Sequence, residues 1–273
     1  MLRGLRMKKQ AILALVSAPV LTACGIVADN EFTRLGFPAP ATKEGDGIID
    51  LWQGFLITAL LVGLLVIGLL VYASIKFRRK DENEVPDQVR YNVPLELLYT
   101  VVPLIIVLVL FGYTAKEQNK ITALTEDYTH VVNVVGFRWS WAFNYIDENV
   151  YESGTPGVVP VLYLPVNEKT RFELSSPDVI HSFWIPDFLF KMDVVPGALN
   201  KFELTPDKPG TYIGRCAELC GQDHTRMLFS VKVVTRAEYD NYINALKVKG
   251  QTGMLPPGIL PRGESITNAR TNS

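Results

Sequence analysis

Leu51 to Lys80 reads LWQGFLITALLVGLLVIGLLVYASIKFRRK, and its two parts decide the fold. The first 25 residues, Leu51 to Ile75, carry no charge. A helix of that length, at about 1.5 Å per residue, exceeds a bilayer core of roughly 30 Å, so the segment spans a membrane with some tilt. Lys76, Arg78, Arg79 and Lys80 follow at once. Such a basic cluster stays in the cytoplasm. A further run, Leu97 to Ala115, holds 19 uncharged residues and returns the chain to the outside. Pro103 within it is tolerable, because neighbours in a membrane bundle can satisfy the carbonyl it frees.

Upstream, Arg3, Arg6, Lys8 and Lys9 precede 13 uncharged residues, Ala11 to Ala23, and Leu21-Thr22-Ala23-Cys24 closes the run. The order basic, apolar, small is that of a secretory signal. Leu-Thr-Ala-Cys also resembles a bacterial lipobox, which implies cleavage before Cys24 and lipid on its thiol. The alternative is an uncleaved anchor with an incidental cysteine. A lipidated outer N-terminus, an inner basic loop and an outer C-terminal domain agree with one another, and the lipobox places the protein in a bacterial plasma membrane.

The whole chain has 273 residues, 48% hydrophobic, 20% charged, with a formal net charge of -1. That balance excludes a nucleic-acid binder. The clustering of apolar residues before about residue 115 excludes an ordinary cytosolic enzyme. Beyond Thr129 the period changes to two. Val135, Phe137, Trp139, Trp141, Phe143 and Tyr145 alternate with Gly136, Arg138, Ser140, Ala142 and Asn144, which predicts one strand with an aromatic face. Further strands are predicted at 161–166, 170–175, 200–205, 210–215 and 228–234, separated by turn-rich stretches. Thr235 and Glu238 predict a capping box, opening a helix with Tyr239, Tyr242, Ile243 and Leu246 on one face.

The fold class expected is therefore an α+β membrane protein, a two-helix transmembrane hairpin followed by an extracytoplasmic β-sandwich. Its divisions are a signal at 1–23, an outer segment at 24–47, the hairpin at 48–115, the sandwich at 116–249 and a flexible tail at 250–273.

Cys216-Ala-Glu-Leu-Cys220-Gly-Gln-Asp-His224-Thr-Arg-Met227 packs two thiols, an imidazole and a thioether into twelve residues, and His181 lies 35 residues before Cys216. Two cysteines in an oxidising compartment can form a small disulfide loop. With two histidines they can also hold structural zinc. The added methionine favours copper, because thioether sulfur is a poor zinc ligand. Taken singly, His181 reads equally as a buried core histidine and Met227 as core filling. His130 has no sulfur neighbours in sequence and reads as a plain strand histidine.

The spacing Cys-x-Glu-x-Cys-x3-His-x2-Met, preceded by Asp178-Val-Ile-His181-Ser-Phe183, resembles the CuA site of cytochrome c oxidase subunit II. The hairpin, Gly136-x-x-Trp139-x-Trp141 and Lys191-Met-Asp-Val-Val-Pro-Gly197 extend the resemblance from about Leu51 to Lys247. It implies a cupredoxin-like sandwich and a binuclear copper centre bridged by Cys216 and Cys220. His181 and His224 then each ligate one copper, Met227 is a weak ligand, and Glu218 gives its backbone carbonyl. It further implies electron acceptance from a separate c-type cytochrome near Trp139, and delivery to the haems of subunit I, where oxygen is reduced to water coupled to proton transfer. By the same resemblance the Glu218 carboxylate binds magnesium at the boundary with subunit I, and Glu96 lies at the mouth of a proton-uptake channel. Glu96 also reads as an acid favoured by a helix N-terminus, and Trp139 as a core aromatic.

Arg215 and Arg226 stand where the family often carries uncharged residues. No Cys-x-x-Cys-His occurs, so this chain binds no haem of the c type. Quinol oxidases share the hairpin and sandwich but lack the copper ligands. A copper-delivery lipoprotein and a zinc-stabilised binding module remain as alternatives of other classes.

Overall fold

A computed structural model describes residues 34, 36–81, 85 and 88–255. The expected signal, Cys24 and residues 256–273 lie outside the described residues. The chain divides into two compact units, one holding the two long helices and the other the β-rich domain with the segment 29–48.

Helix α1, Gly45–Lys76, has 32 residues, and α2, Val93–Thr122, has 30, so both outrun the apolar stretches that predict them. Both are long and apolar enough to cross a membrane. Asp46 in the first turn of α1 and Lys76 in its last complement the helix dipole. At the start of α2 the Asn92 side chain accepts the Leu95 N–H at 3.3 Å, and the Glu96 carboxylate accepts the Asn92 N–H at 2.9 Å. Helix α2 buries none of its side chains, and Leu64 and Ile67 on α1 are 67% and 60% exposed. Helices apolar around their whole circumference require lipid or protein neighbours.

The β-rich unit is a sandwich of two five-stranded sheets. Strands β1 (His130–Phe137), β2 (Ser140–Tyr145), β3 (Val150–Ser153), β5 (Thr170–Ser175) and β8 (Asn200–Leu204) form the first, in the order β3-β2-β1-β5-β8. Strands β4 (Val161–Pro165), β6 (His181–Ile185), β7 (Phe190–Val194), β9 (Gly210–Cys216) and β10 (Leu228–Val234) form the second, in the order β4-β10-β9-β6-β7. Among the described residues β1–β5 and β4–β10 pair in parallel and the other strand pairs are antiparallel. Helix α3, Arg236–Val248, closes the unit with the expected Thr235/Glu238 capping box and buries Tyr239, Ile243 and Leu246.

The long aromatic strand predicted over residues 135–145 is a hairpin. Phe137 pairs with Ser140, leaving Arg138 and Trp139 as its turn. The reversal changes the parity of the first half. Val132, Val134 and Gly136, rather than Val135 and Phe137, share a face with Tyr145, Phe143 and Trp141. Residues 251–255 add to the first sheet beyond the start of the expected loose tail. Thr252 bridges Val150, and the Asn144 carboxamide both donates to Leu255 O at 2.7 Å and accepts its N–H at 2.8 Å. On the other side, Ala41 N donates to Asp187 O at 2.8 Å and Lys43 N to Thr205 O at 3.1 Å, fastening the outer segment to the sandwich.

Between the sheets the Phe183 and Phe229 rings stack with centroids 4.8 Å apart, and the Trp141 ring meets Phe229 edge-on at 5.3 Å. Gly214 pairs with Phe229, whose ring lies so close that an added Cβ would stand 2.0 Å from two of its carbons. Gly214→Ala therefore has to displace a ring held on three sides. It should lower the unfolding free energy by about 1–3 kcal/mol, read as a reduced denaturant midpoint at unchanged slope. An unchanged midpoint would mean that this core yields more readily than its packing indicates.

Candidate metal centre

Three elements bring the donors together. His181 opens β6, Cys216 ends β9, and residues 217–227 form the loop from β9 to β10, with a single 3-10 turn at His224–Arg226. The loop is pinned at both ends. Met227 O accepts the Cys216 N–H at 3.1 Å and the Trp141 indole N–H at 3.3 Å, and Ser182 O accepts the Ala217 N–H at 3.0 Å. Gly221 lies at φ +121, a backbone state that side chains with a Cβ rarely adopt.

Within this frame the sulfurs of Cys216 and Cys220 lie 3.9 Å apart, so the pair is not a disulfide. His181 Nδ1 is 3.9 Å from Cys216 Sγ, and His224 Nδ1 is 3.5 Å from Cys220 Sγ. Met227 Sδ is 3.8 Å from Cys220 Sγ, and the Cys216 thiol donates to Glu218 O at 3.2 Å. The ligand atoms of His181, Cys216 and Cys220 all lie within 4.8 Å of one another, and all three residues are buried. The six residues that the sequence singled out thus meet at one point. Soft sulfur and imidazole in a largely buried cluster suit copper, and with two cysteines and two histidines zinc as well.

The thiols titrate against each other. Burial disfavours ionising Cys216, but His181, and after it the Glu218 and Ser182 backbone, outweigh burial and bring that thiol down to about 6. Burial pushes Cys220 up to about 12, and the neighbouring Cys216 charge adds to this. A cation between them would let both be thiolates.

Trp139 is half-buried in the hairpin turn, its indole N–H donating to Cys220 O at 3.1 Å. An added Cβ on Gly221 would stand 3.1 Å from that indole nitrogen, so the glycine is the seat of the ring. The Glu218 side chain is exposed. Glu96 is on α2, in the other unit. His130 has no part in the sulfur cluster. Its Nδ1 faces Glu148 Oε1 at 3.2 Å and its Nε2 faces Glu168 Oε2 at 2.8 Å.

Two contributors were missed in the sequence. Gly136 sits where a Cβ would come within 3.3 Å of His181, so the first sheet can approach the histidine. A glycine inside a strand is a signal of such close approach. Asp178 holds the second nitrogen of His181, Oδ1 to Nε2 being 2.9 Å. Burial raises the Asp178 carboxyl, but hydrogen bonds led by Arg138 N–H and His181 overcome this and hold it at about 2.

Fold and donor set together define a membrane-anchored cupredoxin-like protein. Its sequence matches the family described as cytochrome C oxidase subunit II, periplasmic domain, over residues 157–234, and the corresponding transmembrane domain over residues 30–115. It is 44% identical to a probable cytochrome c oxidase subunit 2 of Streptomyces avermitilis, covering 98% of this chain and 96% of that protein. It is 31% identical to cytochrome c oxidase subunit 2 of Mycobacterium tuberculosis, covering 92% and 84%. Among solved structures, the periplasmic domain of cytochrome oxidase subunit II of Bradyrhizobium japonicum aligns at 29% identity and a TM-score of 0.43, covering 46% of this chain and 99% of that one. The chain belongs to the cytochrome c oxidase subunit II family, and is thereby a subunit of an oxidase.

Proposed function

We propose that this subunit accepts electrons from a c-type cytochrome at a binuclear copper centre and passes them to the haems of subunit I. The observation that carries the reading is the meeting of two thiol sulfurs 3.9 Å apart, each with its own imidazole Nδ1. Cys216, Cys220, His181 and His224 would hold the copper, with the Met227 sulfur and the Glu218 carbonyl as the remaining donors. When bound, such a copper pair supplies a one-electron site whose charge change is spread over two ions. The protein's part is to keep donors fixed and water out, so that little moves when that charge changes. Trp139 gives arriving electrons a bonded contact with the ligand loop through Cys220 O.

The basic cluster after α1 supports an orientation with the sandwich outside a bacterial plasma membrane and Lys76 to Lys80 inside. Subunit I and further oxidase subunits then surround the exposed apolar helices. The exposed Glu218 carboxylate is free to contribute to a magnesium site at the subunit I boundary. Processing before a lipidated Cys24 belongs to the same orientation. Mass spectrometry of the N-terminal peptide should find residues 1–23 removed and an acylated Cys24, and their retention would leave an uncleaved anchor instead.

Metal analysis and electron paramagnetic resonance of the purified chain test the central reading. Two coppers sharing one unpaired electron are expected. One copper per chain points to a copper carrier, and zinc to a structural module.

Glu96 we assign to proton uptake. Glu96→Gln keeps an oxygen that can accept the Asn92 N–H, so the start of α2 survives while the charge is removed. Proton uptake should slow at unchanged copper content and donor reduction. Unchanged turnover across a range of pH would leave Glu96 with its capping role alone.

A further inference from the structure

The two histidines of the cluster are held unequally. His181 is fully buried, and each of its ring nitrogens has a partner, Nδ1 towards Cys216 Sγ and Nε2 towards Asp178 Oδ1 at 2.9 Å. His224 is only half-buried, and among the described residues nothing partners its Nε2. Asp178 is itself held by several donors. Oδ1 also takes the Val179 N–H at 2.6 Å, while the Ser176 hydroxyl beside it donates to Val179 O at 2.6 Å and accepts the Asp178 N–H. Oδ2 takes the Arg138 N–H at 2.8 Å and faces Arg138 Nε at 3.4 Å. The side chain is only 18% exposed. A carboxylate with that many donors on both oxygens has one orientation.

We propose that Asp178 is a positioning residue that fixes, through its two oxygens, both the ring of His181 and the Arg138-Trp139 turn that carries the indole. The inference rests on the reading of His181 as a copper ligand. A nitrogen that binds metal carries no proton, so coordination through Nδ1 puts the proton on Nε2, where it can donate to Asp178. A carboxylate on the far nitrogen fixes the tautomer, stops the ring rotating and makes the imidazole a stronger donor. The other oxygen, on Arg138 N–H, ties the same group to the residue before Trp139. Ligand and electron-accepting aromatic come from different sheets, β6 and the β1–β2 turn. Asp178 hydrogen-bonds to His181 itself and, in that turn, to Arg138, the residue before Trp139.

Substitution by asparagine separates this role from simple loop shaping. A carboxamide has one acceptor oxygen, and its amide nitrogen is a donor, so Asp178→Asn cannot accept from both His181 and Arg138. Asp178→Glu retains the charge and both acceptors on a longer stem. The experiment uses the full chain in detergent, loaded with copper. Its readouts are the exchangeable ring N–H signals of His181 and His224 by paramagnetic proton nuclear magnetic resonance, the reduction potential, and amide exchange of the Arg138-Trp139 segment.

In Asp178→Asn we expect two coppers retained, faster exchange of the His181 ring proton with that of His224 unchanged, a potential shifted upward, and faster amide exchange at Arg138. Asp178→Glu should move each of these back towards the parent. If the His181 proton and the potential stay at parental values, or if both histidines respond equally, Asp178 is not a positioning residue. A parent chain with no two-copper signal would instead overturn the copper reading, an outcome visible before any variant is made.

Discussion

Replacing either Cys216 or Cys220 by serine should abolish the proposed two-copper centre. Cys216 and Cys220 sit 3.9 Å apart, each within 4 Å of an imidazole nitrogen, and each would hold both metals in the proposed arrangement. A serine hydroxyl is smaller, harder and neutral at ordinary pH, whereas a coordinated cysteine is a thiolate, so the substitution removes a soft charge that the site depends on. Copper content should fall below two per chain and the shared-electron signal should vanish. His181→Ala and His224→Ala should damage or empty the centre as well. Met227→Leu keeps volume in a buried position and removes only the weak sulfur ligand, so copper should remain with altered spectra. The fold should survive all of these, since burying one serine hydroxyl without a partner costs about 1–3 kcal/mol. Near-parental circular dichroism beside a lost copper signal is the expected pairing. If both cysteine variants kept a normal two-copper signal, the copper assignment would fail.

The parts of this protein that were legible in the sequence are those where one residue class repeats without competition. Uncharged runs gave the two membrane helices, and the capping box with its spaced apolar residues gave α3. The donor loop was legible because two thiols, an imidazole and a thioether fall within twelve residues. Parity in the first hairpin was not. Both β1 and β2 are buried on both faces, so alternation of residue type carries little information there, and the reversal at Arg138-Trp139 has no glycine, proline or asparagine to announce it. Strands β3, β6 and β7 were missed for a related reason. His181-Ser-Phe-Trp-Ile185 mixes polar and aromatic residues with no clear period, though it carries one of the candidate metal donors.

What the sequence hides most completely is how the candidate donors are held. Gly136, Trp141 and Asp178 come from separate strands and loops, and none contributes a donor to the cluster. Gly136 leaves room for the His181 ring, Trp141 holds the Met227 carbonyl from the facing sheet, and Asp178 takes the far nitrogen of His181. Gly136 and Trp141 act across the sandwich, so their roles depend on strand order and register, which local patterns do not encode, whereas Asp178 lies only three residues before His181 and becomes a partner through the turn that folds it back onto the ring.

Trp139→Phe should leave that frame standing and slow the arrival of electrons. Phenylalanine keeps an aromatic face over Gly221 but lacks the indole N–H that reaches Cys220 O at 3.1 Å, and its ring is shorter. The lost hydrogen bond is worth about 0.5–1.5 kcal/mol of stability, too little to unfold a sandwich whose core aromatics are untouched. Met227 O keeps its bond from the Trp141 indole and His181 keeps Asp178, so the copper spectrum and copper content should stay close to the parent's. Reduction by a c-type cytochrome, followed by stopped-flow absorbance, should fall by roughly tenfold or more, equivalent to about 1.4 kcal/mol of added barrier. Reduction by a small inorganic reductant, which does not depend on docking at the turn, should change far less. Loss of copper from Trp139→Phe would show the indole to be a support for the ligand loop. A parental rate with the cytochrome would place electron arrival elsewhere on the domain.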